Sequence, residues 1–112
     1  MNRMRALIQE WEAKAHIQRA AAKMTVQLDL ADVAKIRALT QLYPGLSEER
    51  VVADLLSAAL AEVEEALPYV QGNKVVAEDE FGDAIYEDVG KTPDFQRLTH
   101  QHLAALERQR KR

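Results

Sequence analysis

The chain contains no cysteine. Disulfides, thiolate metal sites and thiol nucleophiles are therefore excluded. Glycine is scarce, with four in 112 residues, and none lies in a loop of the kind that cradles phosphate. Proline occurs three times, and Pro44, Pro68 and Pro93 each fall where one element should end or another begin. No run of about 18 apolar residues exists, which excludes a spanning helix. The first residues carry Arg3 and Arg5 and then Gln9, Glu10, Glu12 and Lys14. That pattern has no continuous apolar stretch and no small-residue cleavage site, so no secretory leader is expected and a cytoplasmic location follows as the expectation.

Catalytic and metal signatures are equally sparse. The histidines are His16, His100 and His102. On a helix of 3.6 residues per turn the last two point about 200° apart and cannot share one metal ion by themselves. Ser47 and Ser57 stand in no strand–turn–helix elbow that would make a nucleophile. The acidic run Glu78, Asp79, Glu80 and Asp83 lacks the spacing of a twelve-residue calcium loop. No catalytic residue, metal or cofactor is expected.

What the chain has is charge arranged in blocks. Net charge is −3, yet residues 1–23 hold five basic and two acidic side chains, residues 47–67 one basic and six acidic, residues 68–90 the same, and residues 91–112 six basic and two acidic. Basic ends flank an acidic middle, which suits pairing within the chain, with a partner or with a polyanion.

Periodicity supplies the elements. Met4, Leu7, Ile8, Trp11 and Ala15 form one helical stripe in residues 1–23, with Trp11, the only tryptophan, as its anchor. Met24–Leu30 alternates as a strand: Val26, Leu28 and Leu30 take one face, and Thr25, Gln27 and Asp29 take the other. A helix over residues 31–43 follows, with Asp29 and Asp32 placed to cap it and Val33, Ile36, Leu39 or Thr40, and Tyr43 as its stripe. Pro44 and Gly45 end it. Ser47 caps a helix over residues 47–67, whose broad apolar face includes Val51, Val52, Leu55, Leu56, Ala59, Leu60, Val63 and Leu67. Beyond Pro68, residues 74–77 and 84–89 predict a hairpin joined through Phe81-Gly82-Asp83. Thr92-Pro93-Asp94 predicts a helix start with Thr92 as cap, followed by Phe95, Leu98, His102 or Leu103, and Leu106 at helical spacing. The basic tail from Arg108 is expected to be mobile.

A lone strand leaves its backbone groups unpaired. No second strand lies near Met24–Leu30 in sequence, so its simplest partner is the same strand of a second copy. The expected fold is α+β and mostly helical: an amphipathic helix at 1–23, a dimerising strand–helix–helix domain at 24–67, and an acidic hairpin with a C-terminal helix at 68–112. The homodimer core would comprise Val26, Leu28, Leu30, Val52, Leu55, Leu56 and Leu60.

Over residues 24–67 the chain resembles the ribbon-helix-helix repressors. The resemblance implies an intermolecular antiparallel ribbon that enters the DNA major groove. Thr25, Gln27 and Asp29 would read bases, with Lys23 on the backbone and the N–H groups near Ser47 on a phosphate. Across nearly its full length the chain also resembles small proteobacterial proteins labelled pilin-assembly or type 1 pilus tip components. That resemblance rests on Gln-Glu-Trp-Glu (9–12), Val-Gln-Leu-Asp-Leu-Ala (26–31), Ala-Leu-Pro-Tyr-Val-Gln-Gly (66–72), Ala-Glu-Asp-Glu-Phe-Gly-Asp (77–83) and Ile-Tyr-Glu-Asp-Val-Gly-Lys-Thr-Pro (85–93).

The ribbon's own electrostatics pull the other way. It carries no Arg or Lys, Asp29 is negative, and Glu48 and Glu49 occupy the phosphate position. Compensation would come from Arg3, Arg5, Lys14, Arg19, Lys23, Lys35, Arg37 and the basic tail. Two readings stand: a DNA-binding transcriptional regulator, and a dimeric adaptor that docks a protein partner through Glu78, Asp79, Glu80 and Asp83. Neither involves a membrane.

Overall fold

The structure, a computed structural model, describes residues 2–13 and 21–111. Its class is α+β, with four helices and one two-stranded antiparallel sheet. The order is α1 (Arg3–Glu12), α2 (Leu30–Leu42), α3 (Glu48–Ala66), β1 (Gln71–Glu78), β2 (Ala84–Asp88) and α4 (Thr92–Arg110). The chain forms two compact units, Met1–Glu62 and Val63–Arg112.

In the first unit, α1 starts because the Asn2 side chain accepts from the backbone N–H of Met4 at 2.8 Å and of Arg5 at 3.3 Å. Leu7 and Trp11 are buried from this helix. They meet Val51 and Ala58 of α3, with Met4, Ile36, Leu39, Tyr43, Leu46 and Leu55 packed around them. Val51 is fully enclosed, at 0% exposure. Trp11 and Tyr43 set their rings 5.8 Å apart at a 54° tilt, a favourable aromatic geometry. The indole N–H of Trp11 donates to Asp54 Oδ2 at 2.8 Å. Arg50, one helical turn before, donates to the same oxygen from Nε at 3.2 Å. Asp54 is thereby buried as a carboxylate with two donors, the condition under which such burial is tolerated.

The expected stripe of α2 holds: Val33, Ile36, Leu39, Thr40 and Tyr43 are its half-buried positions, along with the turn residue Leu46. Tyr43 leaves the helix before Pro44, and Leu46 N–H closes the turn on Tyr43 C=O at 3.0 Å. Ser47 caps α3 as expected, its hydroxyl accepting from Arg50 N–H at 3.0 Å.

Four expectations need correction. The first helix stops at Glu12, and residues 21–23 are not helical. Residues 21–23 are exposed, and helix propensity alone does not hold them in a helix. Ala15 of the stripe, with Lys14, His16 and Arg19, lies outside the described residues. Asp29 occupies the N-cap position of α2 but makes no side-chain cap bond; its backbone C=O accepts from Asp32 and Val33 N–H instead. Thr92 is the first residue of α4 rather than its cap, which is Lys91. Helix α4 then continues to Arg110, so the basic tail is helical through that residue; two arginines in the last turn favour the helix C-terminus electrostatically.

In the second unit, β1 and β2 pair with Gln71 opposite Asp88, Val75 opposite Tyr86 and Glu78 opposite Ala84, the register shifting twice between. The Tyr69 hydroxyl donates to Tyr86 C=O at 2.7 Å, and Asp88 Oδ1 accepts from Val70 N–H at 3.0 Å and Gly90 N–H at 2.8 Å. Gln96 Nε2 donates to Glu64 Oε2 at 3.5 Å, between α4 and the last turns of α3.

Asp54→Ala leaves the buried indole N–H without its acceptor and lowers stability by about 1–3 kcal/mol. Denaturant unfolding followed by fluorescence checks this directly, because Trp11 is the only tryptophan and sits in that core.

Candidate nucleic-acid interface

Helix α3 is apolar on two opposite sides. At 100° per residue, Val51, Asp54, Leu55 and Ala58 form the side turned to α1. Leu56 and Leu60 lie on the other side and remain 54% and 57% exposed. Among the expected dimer-core residues, Val52 and Leu55 are half-buried, and Val26, Leu28, Leu30, Leu56 and Leu60 are exposed. Leu30, expected to end the strand, is instead the first residue of α2 and is 89% exposed.

The candidate reading residues stand in the segment that precedes α2. Residues 21–29 form no helix and join no strand, and every side chain there is exposed. The only sheet among the described residues is β1 with β2. Lys23, Thr25 and Gln27 are therefore presented on backbone that belongs to neither helix nor sheet, and Asp29 ends that segment as the N-cap of α2, its C=O accepting the first helical bonds. The Asp29 backbone is extended, at φ −61° and ψ 144°. At the start of α3, Arg37 Nε donates to Glu48 Oε1 at 2.9 Å in an exposed ion pair. That pair offsets one of the two carboxylates at the helix N-terminus and leaves Glu49 beside it.

The alternative docking residues divide by role. Asp79 organises the hairpin turn: its Oδ1 accepts from Phe81 and Asp83 N–H, both at 2.9 Å, while its own N–H donates to Asp83 C=O at 2.9 Å. This Asx-type bracket matches the turn chemistry of aspartate. Gly82 supplies the positive φ of +84° that the turn requires. Glu78, Glu80 and Asp83 remain exposed around it. They stand as a carboxylate surface.

Sequence reasoning missed Asp54 and Arg50. Their four-residue spacing on one helix was a visible signal of an ion pair. The contact with Trp11, 43 residues away, left no local trace. Beside this pair a cleft of about 390 Å³ opens, lined by Trp11, Glu12, Leu42, Tyr43, Pro44, Leu46 and Arg50 among others. It includes none of the candidate reading or docking residues. No group of acidic or histidine side chains among the described residues is arranged to hold a metal ion. No helix among them is long and apolar enough to cross a membrane.

No family model, curated protein or solved structure matches this chain.

Gly82→Ala forces a side chain onto a left-handed backbone and costs about 1–2 kcal/mol. Asp79→Ala removes both acceptor contacts of the turn. Each substitution should raise amide hydrogen exchange across residues 71–88 and leave Trp11 fluorescence unchanged.

Proposed function

We propose that the chain is a homodimeric, ribbon-helix-helix-type DNA-binding transcriptional regulator. The observation that carries this reading is the exposed segment at residues 24–29, which lies in no helix or sheet and leads directly into α2 and α3. A strand with alternating Val and Leu gains backbone partners when it pairs with its twin. Pairing also gives Val26, Leu28 and Leu30 an apolar environment, and the outer side of α3 with Leu56 and Leu60 supplies the facing surface. Fully burying each such side chain is worth about 1.5–3 kcal/mol.

In that dimer Thr25, Gln27 and Asp29 face outward from the ribbon. Gln27 matches the two hydrogen-bonding groups of adenine in the major groove, and Thr25 suits a thymine methyl or a base edge. Lys23 stands next to the ribbon as a phosphate contact. The N-terminus of α3, beside Ser47, adds a second phosphate position, and the Arg37–Glu48 pair lessens the charge conflict there.

A dimeric adaptor that binds no DNA is the second reading, and the exposed carboxylates Glu78, Glu80 and Asp83 favour it. They suit a basic protein surface, and the pilin-assembly resemblance supplies a setting for such a partner. Both readings share the dimer.

Leu28→Asp places a charge in the seam and abolishes the dimer, as sedimentation or native mass spectrometry would register; a stable dimer of that variant refutes the ribbon. Genomic fragments selected by the protein at low salt provide the DNA test. Gln27→Ala then costs about 1–3 kcal/mol at the preferred site and relaxes its sequence preference. Lys23→Ala weakens binding evenly across sequences and lowers the salt slope by about one per phosphate that the lysine neutralises. Absence of any fragment binding rejects the regulator. Recovery of a protein partner that no longer binds after reversal of Glu78, Glu80 and Asp83 to Lys then selects the adaptor.

A further inference from the structure

The cleft beside Arg50 serves neither reading of the chain. It lies wholly within the first unit and encloses about 390 Å³, a volume in the range of small-molecule sites. Its walls are mostly apolar: Trp11, Leu42, Tyr43, Pro44 and Leu46 line it, the last three from the turn between α2 and α3. The rings of Trp11 and Tyr43 stand as a tilted pair, 5.8 Å apart at 54°.

Two charged side chains reach this cleft, Glu12 and Arg50. Arg50 is already held by carboxylates: its Nε donates to Asp54 Oδ2 at 3.2 Å, and its Nη2 lies 4.0 Å from Glu10 Oε1. Asp54 is only 7% exposed, so taking Arg50 away would strand a buried charge. Glu12 differs. Its one contact among the described residues is the Tyr43 hydroxyl, which donates to Oε1 at 3.4 Å. That is a long bond to one of about four lone-pair sites. Glu12 is also the last residue of α1, and no basic residue stands in that last turn. The negative pole of the helix therefore adds to the carboxylate's own sign.

We propose that this cleft binds a small organic cation, an ammonium group carried on an aromatic ring. The ring packs beside Trp11 and Tyr43 among the apolar walls, and the ammonium meets Glu12 at the end of α1. The aromatic pair favours the same charge, because a cation within about 6 Å of a ring face is attracted by its quadrupole. An anion of the same shape meets Glu12 and the helix pole, and Arg50 already has its carboxylates. A bare alkylammonium, of the kind a lysine of another protein would present, leaves the aromatic walls unfilled. The site includes none of the residues assigned to the ribbon, the DNA contacts or the acidic hairpin. Its failure and the failure of those readings are therefore separate results.

Four probes test the assignment: 2-phenylethylammonium, the uncharged 2-phenylethanol, the anionic 3-phenylpropionate and n-butylammonium. Trp11 is the only tryptophan, so its indole N–H resonance and its fluorescence both report from the cleft wall. 2-Phenylethylammonium should shift both saturably and bind about threefold or more tighter than each of the other three. Glu12→Gln, at an exposed position, should lower the affinity for 2-phenylethylammonium to that for 2-phenylethanol and leave the alcohol's own affinity unchanged. Tyr43→Leu keeps an apolar wall and should reduce the preference for the cation over the alcohol. Lack of a saturable response to 2-phenylethylammonium overturns the proposal. So does binding of 3-phenylpropionate or n-butylammonium as tight as that of 2-phenylethylammonium, or undiminished affinity for the cation in Glu12→Gln.

Discussion

The first unit depends on one buried hydrogen bond. The Trp11 indole donates to Asp54, and Arg50 shares the same oxygen. This fixes α1 on one side of α3 at a defined rotation and height. Hydrophobic contact alone would not do so, because α3 offers apolar residues on two opposite sides. The carboxylate is tolerated in the core because both donors reach it, and the donors are held because the carboxylate is buried. Leu7, Val51 and Ala58 then close over the contact. The orientation of α3 in turn decides which leucines point away from the core.

Those outward leucines are the apolar surface that the proposed dimer would cover. Leu56 and Leu60 lie opposite the α1 contact, and Leu30 stands at the entrance of α2, all exposed. A single chain with so few fully buried side chains has little hydrophobic stabilisation of its own. Folding and assembly are therefore coupled by mass action in the proposed dimer, and stability rises with protein concentration. The acidic hairpin stands apart from that logic. Part of its charge serves its own architecture, since Asp79 and Asp88 bind backbone N–H groups.

Local signals in the sequence located most of the elements. The stripe of α2 matches its half-buried positions, Ser47 caps α3, and Gly82 turns the hairpin, because each depends on residues within a few positions. The boundaries that went astray are those set by tertiary contact or by its lack. Residues 21–23 have helical propensity and no surface to pack against. The last turn of α4 persists because basic side chains suit that end. The Trp11–Asp54 contact was invisible because no periodicity links residues so far apart. On α3 the hydrophobic pattern showed that much would be buried and could not say against what, since a helix apolar on two sides gives no single direction. The candidate reading residues were legible as an alternating segment; the proposed pairing would depend on a second chain and leaves no mark in one.

The bare segment ahead of α2 also has a consequence for turnover. Proteases bind their substrates as extended chain, through the same backbone groups that a neighbouring strand would occupy. Residues 21–29 offer that chain ready-made, without any need for local unfolding. In the proposed dimer a paired subunit would hide this segment in the ribbon, whereas an unpaired one would display it. The cell would then clear surplus unassembled chains first, and the level of the assembled form would be buffered against uneven synthesis.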